Sequence, residues 1–310
     1  MVEDNEIKAQ VSPFAIREGE IKTFDGKDGY VSMNQIVHKI NIGHITDIHF
    51  AILDLVNEFE FITSRQIYQM LEIKGIDPKS QDKLNNKLDA LVKSKILTRY
   101  YFTSDEGKGI YRIYCLEKMG KYLLTSKEIE CKWQPSDNTK PVAMIKKRLA
   151  GNQVLIAYLR KVKAFDSYVV KPAITAKTLG KVFKATGGSV KLSKNGKSIQ
   201  FLFEVFRREP DWQKKLVEKM NLYKDFYENF LSGDSGFSGL PQLIFVCEDE
   251  KHMAECFKEM ITNKLEIPQI KFLFTTDLRQ NEETLANTLV EFKLVDGKYK
   301  MENVELKLIG

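Results

Sequence analysis

Hydrophobic spacing along the chain divides it into two parts that differ in period. From Thr46, the residues Ile48, Ile52, Leu55, Val56 and Phe59 recur at helical intervals and predict a helix over about 47–59. FITSRQIYQML predicts a second helix, with Thr63 or Ser64 as N-cap and Ile67, Met70 and Leu71 on its buried stripe. Ser80 opens a third, SQDKLNNKLDALVKS, in which Leu84, Leu88, Leu91 and Val92 share one face. KILTRYYFT then reads as a strand, SDEGKG as a turn, IYRIYCL as the returning strand and EKMGKYLL as a short closing helix. Residues 1–45 are polar, with little periodicity, and read as an arm carrying at most a short strand.

The second part alternates strands with helices. AMIKKRLAGNQVLIAYLRKVKAF is helical, and GGSVKLS and KSIQFLFEVF flank Asn195-Gly196, a pair whose tolerance of positive φ predicts a two-residue hairpin. A helix with the stripe Trp212, Leu216, Met220, Tyr223, Tyr227 and Phe230 follows. QLIFVC, a helix over 250–264, IKFLFTT and a terminal FKLV-DG-KYKM hairpin complete the chain. Strands alternating with helices imply right-handed crossovers and a mainly parallel sheet. The fold class expected is α+β: an arm (1–45), a winged helix-turn-helix (46–132), a linker (133–145) rich in proline and polar residues, and a basic α/β domain (146–310).

Three helices followed by a hairpin is the order of a winged helix-turn-helix, in which the third helix enters the major groove and the hairpin touches the backbone. Lys79, Lys83 and Asn86 point away from the leucine face, with Lys87 at its edge; Arg65 starts the second helix and Lys108 stands at the hairpin tip. Asparagine reads base edges and lysine neutralises phosphates, so these six are the candidate DNA contacts of the module. Asp82 and Asp89 on the same face oppose that use.

Charge sharpens the picture. The net charge of +6 over 310 residues conceals a segment, 136–230, with 20 basic and 8 acidic residues, against 19 and 20 before it and 9 and 14 after it. Such a block suits phosphates or another polyanion, and Lys146, Lys147 and Arg148 at its start are candidate backbone contacts; a solvated lysine-rich surface is the alternative. No run of about 18 apolar residues and no basic-then-apolar leader occurs, so a cytosolic protein without a membrane partner is expected. The four cysteines form no CxxC pair, and the four histidines show no ligand spacing with them. Buried reduced thiols and no structural metal are therefore expected. No GxGxxG or GxxxxGK[ST] motif offers a nucleotide site.

FITSRQIYQML, the leucine helix leading to KILTRYY, IYRIYCLEKMGKYLL, and FLFEVFRR followed by EKMNLY together resemble the replication-relaxation family of bacterial plasmids and mobile elements, over most of 46–275. That resemblance implies plasmid replication, DNA relaxation or mobilisation. The implied partners are double-stranded DNA and a relaxase or replication initiator, with a homodimer as a further candidate. It also implies a second domain like the PD-(D/E)xK nuclease core, in which an Asp and a Glu on successive strands hold a metal and a Lys two residues after the Glu assists. Glu204 matches the second carboxylate, but Phe206 stands where that Lys belongs, and Lys219 is the available substitute. No Asp or Glu lies between Asp166 and Glu204, so the first carboxylate is missing. A lone carboxylate holds Mg²⁺ poorly. The expectation is a non-catalytic DNA-binding accessory protein without a cofactor; a Mg²⁺-dependent nuclease using Glu204 and Lys219, or a winged-helix transcriptional regulator, are the alternatives.

Overall fold

The computed structural model describes residues 12–104, 107–281, 285 and 288–304, and only the backbone of 107–110. The architecture is mixed α+β, with eight α-helices among the described residues. The arm contributes β1 (Ile21–Phe24), a short strand, and α1 (Met33–Asn41), a helix that its polar composition did not announce. The local signal for α1 was Ser32-x-x-Gln35: the Ser32 hydroxyl accepts from the Gln35 N–H, and the Gln35 side chain accepts from the Ser32 N–H.

Next come α2 (Asp47–Phe59), β2 (Ile62–Thr63), α3 (Ser64–Ile73), α4 (Gln81–Lys93), the hairpin strands β3 (Leu97–Ser104) and β4 (Gly107–Leu116), and α5 (Lys118–Ser126). Thr63 caps α3 through a reciprocal pair with Gln66 at 3.2 Å each way, and the Ser80 hydroxyl accepts from the Lys83 N–H to start α4. These strands form one sheet in the order β1-β3-β4-β2. The two-residue β2, inserted between α2 and α3, pairs with the returning strand of the hairpin, Ile62 opposite Tyr114.

The segment read as a linker holds a 3₁₀ turn at Pro135–Thr139 and then runs into α6 (Val142–Lys161). This helix is buried over much of its circumference because it packs on two neighbours at once. Towards the N-terminal helices, Gln66 Nε2 donates to the Leu149 carbonyl (2.7 Å) and Asn152 Nδ2 to the Phe61 carbonyl (2.8 Å). On its other side lies a seven-stranded sheet, so one continuous apolar cluster runs from Ile52 and Leu88 through Leu149 and Leu155 to Phe203 and Ile244.

That sheet comprises β5 (Phe165–Val169), β8 (Ser189–Lys194), β9 (Lys197–Val205), β10 (Gln242–Cys247), β11 (Leu273–Thr276), β12 (Leu289–Val295) and β13 (Lys298–Val304), in the order β13-β12-β11-β10-β9-β8-β5. A separate hairpin, β6 (Ala173–Ala176) and β7 (Lys181–Lys184), interrupts the sequence between β5 and β8. Only β9-β10-β11 are parallel; every other neighbour is antiparallel, which corrects the expectation of a mainly parallel sheet. The reason is the hairpins: Asn195-Gly196 and Asp296-Gly297, all at positive φ, reverse the chain and add antiparallel strands at both margins of a short parallel centre. Alternation along β9 sends Phe201, Phe203 and Val205 towards α6. Leu202 faces the opposite cluster, beneath α7 (Trp212–Glu228) and α8 (Glu250–Thr262).

Candidate nucleic-acid interface

The apolar stripe of α4 is fully withdrawn from solvent, with Leu84, Leu88, Leu91 and Val92 buried, and this fixes which side chains face outward. Lys83 and Asn86 are exposed, Lys87 is half-buried at the margin, and Lys79 precedes the helix at a positive φ of 69° with its ammonium 2.8 Å from Asp77. Arg65 is exposed at the second residue of α3 and, with Gln81, Asn85, Tyr101 and Arg112, lines a hollow of about 520 Å³ between the two helices and the hairpin. The backbone of Lys108 lies in β4 opposite Thr103, near the turn; its side chain is outside the described residues.

Of the two acids that opposed this face, Asp89 is paired within it, while Asp82 is exposed on α4. Asp89 is paired with Arg99, and Asp25, from the arm, takes Arg99 Nε at 2.9 Å and Arg112 Nε at 3.1 Å. At the base of the module, His49 Nδ1 accepts from the Thr46 N–H (3.1 Å) at the start of α2. Burial, and then the nearby positive charge of Lys87, hold its pKa below the ordinary histidine value.

Within the basic triplet at the start of α6, Lys146 is buried, which corrects its assignment as a phosphate contact. Lys146 is 2% exposed and donates to the Ala15 carbonyl while pairing with Glu20 at 2.5 Å. Lys147 pairs with Glu209, and the Arg148 guanidinium donates to the carbonyls of Val170 (3.1 Å) and Thr186 (3.2 Å). A helix packed on two sides leaves few outward positions, and these three charges are consumed in tying it to the arm and to the loops beside it.

A second concavity was not legible in the sequence. Lys140, Lys147, Arg148, Lys171, Lys184 and Thr186 line a cleft of about 650 Å³, with Glu60, Glu130 and Asp137 in its wall. Glu60, at the end of α2 with φ 63°, pairs with Lys171 and lies 3.3 Å from Lys140 and 3.6 Å from Arg148. One carboxylate thus gathers three cations from three separate segments, and these cations, after opposing its burial, hold its pKa low. No sequence pattern links such residues.

Beyond Thr186 lies Glu204, 2% exposed. The close approach that places Thr186 over it depends on glycines: a Cβ at Gly151 would meet the Thr186 carbonyl at 2.6 Å, and one at Gly187 would meet Phe203 Cβ at 2.7 Å. Thr186 Oγ1 donates to Glu204 Oε1 (2.8 Å), Tyr223 Oη donates to Oε2 (2.6 Å), and Lys219 Nζ stands 3.5 Å from Oε2. Lys219 also donates to the Lys184 carbonyl (2.6 Å). Arg207 and Arg208, close to Glu204 in sequence, turn elsewhere: Arg207 grips Asp277 at 2.8 and 3.0 Å, and Arg208 grips Asp249 and Glu255. Among the described residues, no group of three or more His, Cys, Asp or Glu side chains able to hold a metal includes Glu204. With both Glu204 oxygens taken by hydroxyl donors and no acid on the strand before it, the residues present do not fit the Mg²⁺ site of a nuclease.

No family model matches the chain, and no curated protein matches it, so the replication-relaxation resemblance stands on its motifs alone. One matching solved structure is that of restriction endonuclease FokI, with 9% sequence identity and a TM-score of 0.25. The match covers 75% of this chain and 43% of the endonuclease chain. A likeness at that level assigns neither fold nor activity. No helix among the described residues is long and apolar enough to cross a membrane.

Proposed function

We propose that this chain binds double-stranded DNA through a winged helix over 46–132 and does not cut it. The observation that carries the reading is the pairing of β2 with β4. It closes the order helix, strand, helix, helix, hairpin into one module and leaves α4 with its polar face outward. Lys83, Asn86 and Lys87 would then meet the major groove, Arg65 and Lys79 the adjoining phosphates, and the Lys108 turn the backbone. Lys184, exposed where it lines the cleft, would offer flanking backbone a further cation. A non-cutting role follows from Glu204, whose two oxygens are already engaged by Thr186 and Tyr223.

The resemblance supplies the narrower setting, replication, relaxation or mobilisation of a plasmid or conjugative element beside a relaxase or initiator. Binding to a panel of labelled duplexes from such an element, with and without Mg²⁺ or Mn²⁺, tests the proposal. Retained full-length duplex with salt-sensitive affinity is expected. Absence of duplex binding overturns the DNA reading, and metal-dependent strand cleavage lost in Glu204→Gln overturns the non-cutting one.

A further inference from the structure

Three residues that sequence spacing left unconnected meet on the far side of the large sheet. Cys247 is the last residue of β10, and a two-residue link leads into α8, where His252 and Cys256 are four residues apart and therefore on one helical face. The two sulfurs and one imidazole nitrogen lie within 4.8 Å of one another, and all three side chains are buried. His252 and Cys256 are 0% exposed, as is Cys247.

The imidazole is the second, independent observation. His252 Nδ1 faces the Glu248 N–H at 3.3 Å, a long contact, and Nε2 has no hydrogen-bond partner among the described residues. An unpartnered polar atom in a fully buried place is destabilising and calls for an explanation. Packing supplies no oxygen or nitrogen partner: the Trp212 ring stands perpendicular to the imidazole with centroids 5.2 Å apart, and Met253, Phe257 and Met260 belong to the apolar cluster on this side of the sheet.

We propose that Cys247, His252 and Cys256 form a buried site for a thiophilic d¹⁰ cation, Zn²⁺ or Cu⁺. Two thiolates and an imidazole are soft donors that select such ions over Mg²⁺ or Ca²⁺. Binding releases the thiol protons, and two thiolates with a divalent ion sum to zero charge, which suits an apolar interior. Whichever ring nitrogen ligates, the weak contact to the Glu248 N–H is what it displaces. The absence of a fourth donor of these types within the group, among the described residues, favours Cu⁺, whereas charge balance favours Zn²⁺. A metal here would pin α8 to the end of β10 and stiffen the margin of the sheet, independently of any DNA contact.

The test uses the full chain, unfolded with reductant and chelator and refolded with one equivalent of Zn²⁺ or, separately, Cu⁺. The expected result is near-stoichiometric retention of one of the two after desalting, with retention identifying which. Cys256→Ala and His252→Gln should abolish it. X-ray absorption of the loaded wild type should show two sulfurs at about 2.3 Å and, for zinc, one nitrogen at about 2.0–2.1 Å. That reading keeps the proposal decidable should the variants fail to fold. Refolded wild type that retains neither metal, or a bound metal surrounded by nitrogen and oxygen only, overturns it.

Discussion

The Tyr223 hydroxyl donates to Glu204 Oε2 at 2.6 Å, so the carboxylate that sequence singled out as a catalytic candidate is the acceptor of a buried link between β9 and α7. Thr186 occupies the other oxygen, and Tyr223 is itself held far above its ordinary pKa by burial and the adjacent carboxylate. Tyr223→Phe keeps the ring and removes one donor, leaving Glu204 under-satisfied where water does not reach. A loss of about 1–3 kcal/mol in denaturant unfolding is expected, with duplex binding unchanged. Stability equal to wild type would mean that the link contributes nothing.

Lys146 provides a contrast with its sequence-based role. Its ammonium is enclosed between Glu20 and the Ala15 carbonyl, so Lys146→Met strands a nearly buried carboxylate. Unfolding should lose about 3–5 kcal/mol, while the salt dependence of DNA affinity, measured on protein that remains folded, should not change. A flattened salt slope at unchanged stability would return Lys146 to the DNA surface.

His49 makes the N-terminal module acid-sensitive. It occupies the third position of α2, where α1 and α3 carry Gln35 and Gln66 in the same reciprocal cap. Its folded pKa lies below the ordinary value of about 6.5, so below that pH the unfolded chain binds the proton more readily than the folded one. Its stabilising contribution is complete above about pH 6.5 and is lost as pH falls towards the folded pKa. His49→Gln should preserve the cap and flatten the loss of melting temperature as pH falls below about 6.5, and Lys87→Met should raise the His49 pKa in an NMR titration. A His49 pKa indifferent to Lys87 would contradict the charge coupling.

Leu88, buried at the centre of the α4 stripe, tests the register of that helix. Leu88→Ala should cost about 2–5 kcal/mol by removing packed atoms and leaving a cavity. A melting curve like that of wild type would place Leu88 outside the core.

Local rules carried much of the fold. The residues of α2, the Thr63 and Ser80 caps and the Asn195-Gly196 turn were readable because spacing, side-chain oxygens and positive φ act over a few residues. What was missed depends on distant partners. The strand β2 is too short to show alternation and exists because β4 lies beside it. The burial of Lys146 needs Glu20, 126 positions earlier, and the Glu60 cleft draws on the 140, 148 and 171 segments. The Cys247, His252 and Cys256 group was within reach of spacing, since His252 and Cys256 are four apart, but Cys247 joins only after β10 and α8 are folded against each other.

Fluorescence anisotropy of labelled duplexes across a salt series, for wild type, Lys83→Ala and Asn86→Ala, tests DNA binding by α4 most directly. Wild-type affinity should fall with salt. Lys83→Ala should weaken all sequences alike and reduce the log–log slope by about 0.9. Asn86→Ala should narrow the spread between preferred and other duplexes by about 1–3 kcal/mol, with the folded state intact. Salt-independent affinity, or two variants that bind every duplex as wild type does, would contradict the account.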